Sequence, residues 1–341
     1  MNVRGLGDKL KRADVLDWLR SKKYSIYCLQ DVHLTAEQES KFEKDWGFKC
    51  IFSSYKSNAR GVAILLQNNF EFKLNITRND ATGNFVATEI ECENTKMTLI
   101  NIYGPNDDNP SFYKQITDIV REYQNATVCL CGDWNLVQDY DLDTQGYKGL
   151  NNPKARKLVI DMKNEFELVD PWRVKWPNSR RYTWTSSSKP RKHARLDFFL
   201  ISGDIQSQCS EVNIDRKHRS DHSLISIKLN IFKEPRGRGF WKLNVSLLRD
   251  KNYIDLVKTE IINTIENYAI PGSDQSNKEI QFKINDQLFF EMLKMNIRGK
   301  SISYASHIKR KNNEVENKLE TDIKSLELQL EEVVMKMLNT T

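Results

Sequence analysis

No stretch of this chain has the apolar length of a membrane span, and no apolar signal core opens it, so it reads as a chain that neither crosses a membrane nor is secreted. Paired cysteines are missing too. Six cysteines occur without one Cys-x-x-Cys pair, and Cys28, Cys129 and Cys131 sit in apolar runs, which favours reduced core thiols and a nuclear or cytoplasmic setting. Charge of one sign is scarce: a net +6 over 341 residues permits a polyanionic partner without requiring one, because basic residues count only when clustered on a face. No fixed-period repeat or low-complexity tract stands out. What is present is core material. Hydrophobic residues at 39 %, with 15 Phe, 12 Tyr and 7 Trp, suffice for a substantial core, and the length points to one large domain with an appendage.

Up to Phe232 the pattern is mixed α/β. Asp8 to Arg20, Thr117 to Tyr123 and Ala155 to Glu165 have helical spacing, and Asn151-Asn152-Pro153 gives the last a start signal. Ser25 to Leu29, Gly61 to Leu66, Phe85 to Glu91, Met97 to Tyr103, Thr127 to Cys131 and Leu224 to Leu229 look like strands. Lys233 to Gly239, rich in Gly and Arg, reads as a linker to a second region, 233–341, with helices expected at Asn252 to Tyr268, Glu279 to Asn296 and Ser303 to Leu338. Leu319, Ile323, Leu326, Leu330, Val333 and Met337 alternate steps of four and three, the seam of a coiled coil over 315–338 and a route to self-association. A helix packing on its own chain produces the same pattern over three heptads, and both readings stay open.

The chemistry-bearing residues gather where apolar strands meet loops. In Leu130-Cys131-Gly132-Asp133-Trp134-Asn135, Gly132 allows a turn that other residues tolerate poorly. If the exit stays extended, Asp133 and Asn135 share one face. Ser220-Asp221-His222 sits at the entrance of the strand Leu224 to Leu229. Asn2, Gln30-Asp31-Val32-His33 and Tyr103-Gly104-Pro105-Asn106 also lie at strand ends, whereas Asp197 is embedded in Leu196-Asp197-Phe198-Phe199-Leu200, where a carboxylate is costly unless paired or metal-bound. Singly, each has an ordinary structural explanation as a turn residue or a satisfied histidine. Together, several carboxylates with one His and no cysteine ligand set describe an oxygen-rich site suited to Mg²⁺ or Mn²⁺ rather than Zn²⁺, and to phosphate-ester cleavage.

The order and wording of these motifs resemble a family. Asn2-Val3-Arg4-Gly5-Leu6, Cys28-Leu29-Gln30-Asp31, Ile102-Tyr103-Gly104-Pro105, Gly132-Asp133-Trp134-Asn135, Tyr182-Thr183-Trp184, Arg195-Leu196-Asp197-Phe198-Phe199-Leu200 and Ser220-Asp221-His222 are similar to the successive signatures of the endonuclease/exonuclease/phosphatase superfamily, in wording nearest to the apurinic-like endonuclease domain of non-LTR (LINE-type) retrotransposons. The resemblance spans Asn2 to Leu229. It implies a four-layer α/β sandwich, two mixed β-sheets face to face with helices outside, over 1–232, followed by an all-α tail. It implies Mg²⁺-dependent nicking of DNA: Asp31, with Asn2 and Asp221, on the metal; Asp133 on the attacking water; Asn135 and Tyr103 on phosphate oxygens; and His222, oriented by Asp197, donating to the scissile phosphate.

The basic loop Ser187 to Arg195, following Thr183, is the expected DNA grip, through Thr183, Arg191, Lys192 and Arg195; a solvated hairpin tip is its plain alternative. Gly239-Phe240-Trp241-Lys242-Leu243-Asn244 is similar to the segment joining endonuclease to reverse transcriptase in such elements, so an endonuclease without a reverse transcriptase domain is expected.

Two departures from the family pattern set further expectations. Asp31 stands where the family has Glu, and one methylene fewer shortens its reach by roughly 1.5 Å. The strand that family members carry before the motif Asn is not found ahead of Asn2, so strand edges are expected to be exposed and Asn2 to sit on a frayed terminus. Competing functional readings are an abasic-site repair nuclease or phosphatase of the same superfamily, and a catalytically inactive relic that binds nucleic acid.

Overall fold

Apolar residues in this chain alternate along the strands so that both faces of each sheet find a partner, which builds layers. The computed structural model describes all residues except 68–71, 93–94, 124–126, 231–240, 272–279 and 339–341. In chain order the elements are α1 (Lys9–Lys22), β1 (Ile26–Gln30), α2 (Ala36–Trp46), β2 (Cys50–Ser53), β3 (Val62–Leu66), β4 (Lys73–Asn79), β5 (Phe85–Cys92), β6 (Thr95–Tyr103), α3 (Pro110–Glu122), β7 (Thr127–Asp133), α4 (Tyr140–Asp143), β8 (Thr144–Gln145), α5 (Pro153–Glu165), β9 (Leu168–Val169), α6 (Pro171–Lys175), β10 (Trp184–Thr185), β11 (His193–Ala194), β12 (Asp197–Ser202), β13 (Cys209–Lys217), β14 (Ser223–Leu229), α7 (Lys251–Tyr268) and α8 (Asp286–Leu338). The chain divides into two compact units, Met1–Pro235 and Arg236–Thr341. The expected linker, 233–239, lies outside the described residues.

In the first unit a six-stranded sheet has the order β4-β5-β6-β7-β12-β9, with β6 and β7 parallel and the other pairs antiparallel. Facing it are the antiparallel sheet β1-β3-β2 and the hairpin β13-β14. The period of two explains the stacking. In β6 and β7, Ile100, Ile102, Val128 and Leu130 pack on α3 and α5, while Met97, Leu99, Cys129 and Cys131 point between the sheets at Val62, Ile64 and Leu66 of β3. Ala63 and Leu65 of β3 turn the other way, onto Leu16 and Leu19 of α1 and Phe42 and Trp46 of α2. Helices, sheet, sheet, helices: four layers of a mixed α/β fold. Helix starts follow the capping residues, as in α1, where the Asp8 side chain accepts from the Lys11 amide at 2.7 Å.

The N-terminal segment is not frayed, contrary to expectation. Asn2 bridges in parallel to Gln30; the Gln30 amide donates to Met1 O at 3.1 Å, and the Val3 amide to Gln30 O at 2.9 Å. Met1, Val3 and Leu6 are buried and anchor the segment, which sequence polarity at a chain end does not reveal. The segment thus covers the Cys28–Gln30 part of the β1 edge, with the Met1 amino group donating to Cys28 O at 2.7 Å, and the Ser223 amide at the start of β14 donates to Thr183 O at 2.7 Å, so these edges are partly closed rather than fully exposed as expected.

The second unit is helical. In place of the two separate helices expected over 279–338, the structure has one, α8, of 53 residues, and it carries Gly299 within its length. Helix α7 packs on it through a buried pair, the Tyr253 and Ser301 hydroxyls at 2.7 Å, and a half-buried bond from the Tyr304 hydroxyl to its N-cap Asp250 at 2.6 Å. Of the heptad seam, Leu319, Ile323 and Leu326 are exposed; the side chains of Leu330, Val333 and Met337 lie outside the described residues. Among the described residues, no helix is long and apolar enough to cross a membrane.

Candidate active site

Three chemical residues occupy one row across three neighbouring strands. Tyr103 of β6 is in register with Asp133 of β7, and Asp133 with Asp197 of β12. Gly132 makes this possible: its φ is +141°, and a Cβ there would stand 1.9 Å from the Ile102 carbonyl oxygen. Only glycine lets β7 press that close to β6 immediately before Asp133. Trp134 then anchors the strand exit, stacked on Phe198 at 4.8 Å with its indole N–H donating to Phe198 O at 3.1 Å.

Two carboxylates directly opposite each other repel. His222 resolves this: its Nδ1 lies 2.8 Å from Asp197 Oδ2, and its Nε2 lies 3.7 Å from Asp133 Oδ2. Burial opposes the charged ring, yet the Asp197 and Asp133 carboxylates outweigh it and raise His222 to about 9. Burial likewise lifts Asp133 to about 6, against the pull of His222. Between these values the imidazolium and the Asp133 carboxylate coexist. The Nδ1 contact to a carboxylate leaves Nε2–H free to donate outward.

Asp133 is held at both oxygens. Asn2 Nδ2 donates to Oδ2 at 2.9 Å and the Asn135 amide to Oδ1 at 3.1 Å. The exit does not stay extended, because Asn135 turns left-handed at φ +49°, which brings its amide back onto Asp133 and its Nδ2 to Gly104 O at 2.7 Å. The two residues still meet, through a local turn rather than a shared strand face. The Ser220 hydroxyl donates to Asn2 O at 2.7 Å and accepts from the His222 amide at 3.1 Å, tying the two motifs together. Tyr103 is raised, first by burial and then by the Asp31 and Asp133 charges, so its hydroxyl stays protonated.

Asp31 has φ +58°, and its Oδ1 is engaged by His33 Nε2 at 2.9 Å and the Arg60 amide at 3.2 Å. Asp221 Oδ2 accepts from Trp184 Nε1 at 3.0 Å and pairs with Arg4 at 3.4 Å, while its Oδ1 is buried without a partner, as is Asp197 Oδ1. Among the described residues, the cluster of His, Cys, Asp and Glu that could hold a metal is Asp133, Asp197 and His222, whose donor atoms lie within 4.8 Å of one another. The shorter Asp31 does not join it.

Two expected DNA contacts require correction. Arg195 is 1 % exposed and clamped to Asp143 at 2.7 and 3.0 Å and to Asp170 at 2.7 Å, so it braces the domain interior and cannot reach a nucleic acid. Thr183 is fully buried, its hydroxyl accepting from the Leu196 and Asp197 amides at 3.0 Å each, which makes it a positioning residue for Asp197. Arg191 and Lys192 are exposed on the loop. Sequence reasoning missed Asn101, whose buried carboxamide donates to Leu29 O and Ala63 O and accepts from Gln30 Nε2, stitching the sheets behind the site; a lone Asn inside Leu99-Ile100-Asn101-Ile102 was the available signal. It also missed Arg60, which follows no periodic pattern.

Residues 1–222 match the model of the endonuclease/exonuclease/phosphatase family. The chain belongs to that family. It is similar to a transposon TX1 protein of 149 kDa from Xenopus laevis, 23 % identical over 266 residues, which are 76 % of this chain and 20 % of the relative; the chain thus spans about a fifth of that protein's length. Among solved structures it resembles the AP endonuclease LMAP of Leishmania major, with a TM-score of 0.58 and 17 % identity over 65 % of this chain and 84 % of that one. It also resembles the endonuclease domain of TRAS1, a telomere-specific non-LTR retrotransposon, with a TM-score of 0.52 and 16 % identity over 68 % and 97 % of the two chains. At these identities the structural likeness establishes the fold, in agreement with the layers described above.

Proposed function

We propose that this member of the endonuclease/exonuclease/phosphatase family is a divalent-metal-dependent DNA endonuclease of retrotransposon origin. The observation that carries this reading is the buried Asp197–His222–Asp133 arrangement in line with Tyr103. A water held against Asp133 is oriented, and gives up its proton, as its oxygen attacks phosphorus and the P–O bond to the leaving group breaks. His222 Nε2–H donates to a non-bridging oxygen, with Asp197 fixing the ring through Nδ1. The protonated Tyr103 hydroxyl and the remaining N–H of Asn135 donate to the other oxygens.

Asp31, Asn2 and Asp221 fit a divalent cation: their donors are hard oxygens, and Asp221 Oδ1 is buried without a hydrogen-bond partner. Asp31, with Asn2 and Asp221, would hold it, and when bound it would neutralise phosphate charge and stabilise the leaving oxygen. Arg191 and Lys192 contact the DNA backbone, and the exposed seam Leu319, Ile323 and Leu326 supports self-association of the helical unit.

The test is a plasmid-nicking assay in Mg²⁺ comparing the wild-type chain with Asp133→Ala and His222→Ala. Nicking by the wild type alone is expected, and equal activity in all three refutes the assignment. Turnover of abasic against intact duplex, run alongside, separates this reading from abasic-site repair.

A further inference from the structure

Arg4 stands among the candidate metal ligands with a fixed backbone and a loose head. Its amide donates to Asn2 Oδ1 at 3.0 Å, its carbonyl accepts from Lys11 Nζ at 2.8 Å, and its φ is +49°. The side chain is 59 % exposed, and its Nη1 pairs with Asp221 Oδ2 at 3.4 Å, longer than a charge-assisted hydrogen bond. An ion pair this open and this long is worth little in water and gives way readily to a stronger partner.

Asp221 is the opposite case. Trp184 Nε1 fixes its Oδ2 at 3.0 Å, and its Oδ1 is buried without a hydrogen-bond partner. A carboxylate oxygen left bare in this way gains more from a divalent cation than a loosely placed guanidinium gives it. The surrounding charges add to the contrast, because the Lys11 ammonium interacts with Arg4, Asp31 and Asp221 alike. Without metal, Asp31 and Asp221 together attract Arg4. A divalent cation neutralises both carboxylates and leaves Lys11 over, so the charge that held Arg4 is gone and what remains repels it.

We propose that Arg4 is an exchangeable counter-ion, holding Asp221 until a divalent cation takes that carboxylate and then forking onto a DNA phosphate. The proposal rests on the metal reading of Asp31, Asn2 and Asp221 given above. Because one side chain opposes the metal and favours the phosphate, metal and DNA each raise the affinity of the other through Arg4. The fork needs arginine, since an ammonium offers no pair of donors in one plane. Lys11, bonded to Val3 O and Arg4 O at 2.8 Å each, keeps the backbone in place while the side chain swings.

The experiment uses the full chain with isotope-labelled arginine, and Ca²⁺ to hold off cleavage. The Arg4 Nε–H resonance, assigned by its loss in Arg4→Lys, should move at saturating Ca²⁺ to the position it has in Asp221→Asn, where the ion pair is gone, and move again when a short DNA duplex is added. Calorimetry should show Ca²⁺ binding about tenfold tighter to Arg4→Gln than to wild type without DNA, and the duplex should raise Ca²⁺ affinity about tenfold less in Arg4→Gln than in wild type. An Arg4 resonance that stays in place while the wild type takes up Ca²⁺ overturns the proposal and leaves the metal reading standing. Absence of saturable Ca²⁺ heat in both wild type and Arg4→Gln removes the metal reading, and the exchange with it. Coupling of Ca²⁺ to DNA in Arg4→Lys as strong as in wild type overturns the fork.

Discussion

His222 and Asp133 are 6 % and 1 % exposed in their side chains, whereas His33 and Asp31, a second imidazole–carboxylate pair of the same site region, are 24 % and 14 % exposed. The difference in closure separates two kinds of work. In the dry pair, charges act through a low dielectric, so neighbours shift protonation strongly and a proton can be placed at a chosen atom. The wetter pair sits on residues of positive φ, φ +58° for Asp31 and +56° for His33, where water screens its charges. The comparison teaches that a shared residue pair does not define a role; enclosure does.

The largest expected effect breaks the comparison if it fails. Asp133→Ala and His222→Ala should each lower nicking about a thousandfold, the scale of losing a general base or acid. His33→Ala should lower it about tenfold or less and shift the Mg²⁺ concentration for half-maximal rate instead. Rates measured across Mg²⁺ concentrations decide this, and a thousandfold loss in His33→Ala would show that the open pair does the proton chemistry.

Next in size is Asp197→Asn, expected to cost about a hundredfold in rate. Its sharper readout is pH. Wild-type rate should rise as Asp133 loses its proton near 6 and fall as His222 loses its own near 9. The Asp197 charge is the foremost group raising His222, so in Asp197→Asn the alkaline limb should move down by about one to two pH units while the acid limb stays within about half a unit. An alkaline limb that does not move assigns it to another group.

A smaller effect separates function from stability. Asp133 has a folded-state value of about 6 against an ordinary 3.8, so as pH rises the unfolded chain releases its proton first and stability is lost between about 4 and 6. Above that window the ionised Asp133 is a cost. Asp133→Asn should therefore stabilise the fold by about 2 kcal/mol at pH 7 and by nearly nothing at pH 4, while abolishing nicking. Denaturant unfolding at the two pH values checks this, and a destabilised Asn variant at pH 7 would mean that the contacts from Asn2 and Asn135 outweigh the burial.

Legibility in the sequence follows the same division. The strands β3, β5, β6, β7 and β14 announce themselves through apolar or alternating runs, and the residues at the ends of β6 and β7 and just before β14, Tyr103, Asp133 and His222, are readable because strand register carries them to one edge. Asp197 is readable as a carboxylate that an apolar strand cannot tolerate alone, and the structure supplies His222 as its partner. Thr183 and Arg195 mislead because a basic or hydroxylated residue beside a loop looks accessible; the burial of Arg195 depends on Asp143 and Asp170, tens of residues away in sequence. The left-handed turn at Asn135 and the anchoring of Met1–Leu6 rest on single backbone angles and on hydrogen bonds with β1, neither of which has a periodic trace. Helix α8 reads as two helices around Gly299, a residue whose helix-breaking tendency of about 1 kcal/mol is overridden by the long helix on either side.

Arg195 also yields the smallest predicted effect, because it sets a buried cation against two exposed ones in the same loop. Removing one phosphate-binding cation from a duplex DNA interface flattens the plot of log affinity against log salt by about 0.9. Arg191→Gln with Lys192→Gln should reduce that slope by about 1.8, with affinity at moderate salt falling several-fold and the melting temperature unchanged. Arg195→Gln should leave the slope intact in whatever fraction folds, since its guanidinium is spent on Asp143 and Asp170, and should instead lower the melting temperature. Binding of a labelled duplex across a salt series, in Ca²⁺ to hold off cleavage, measures all three. A slope unchanged in the double variant would remove this loop from the DNA interface and leave the cations around the open half, Arg4 and Arg60, to supply the grip.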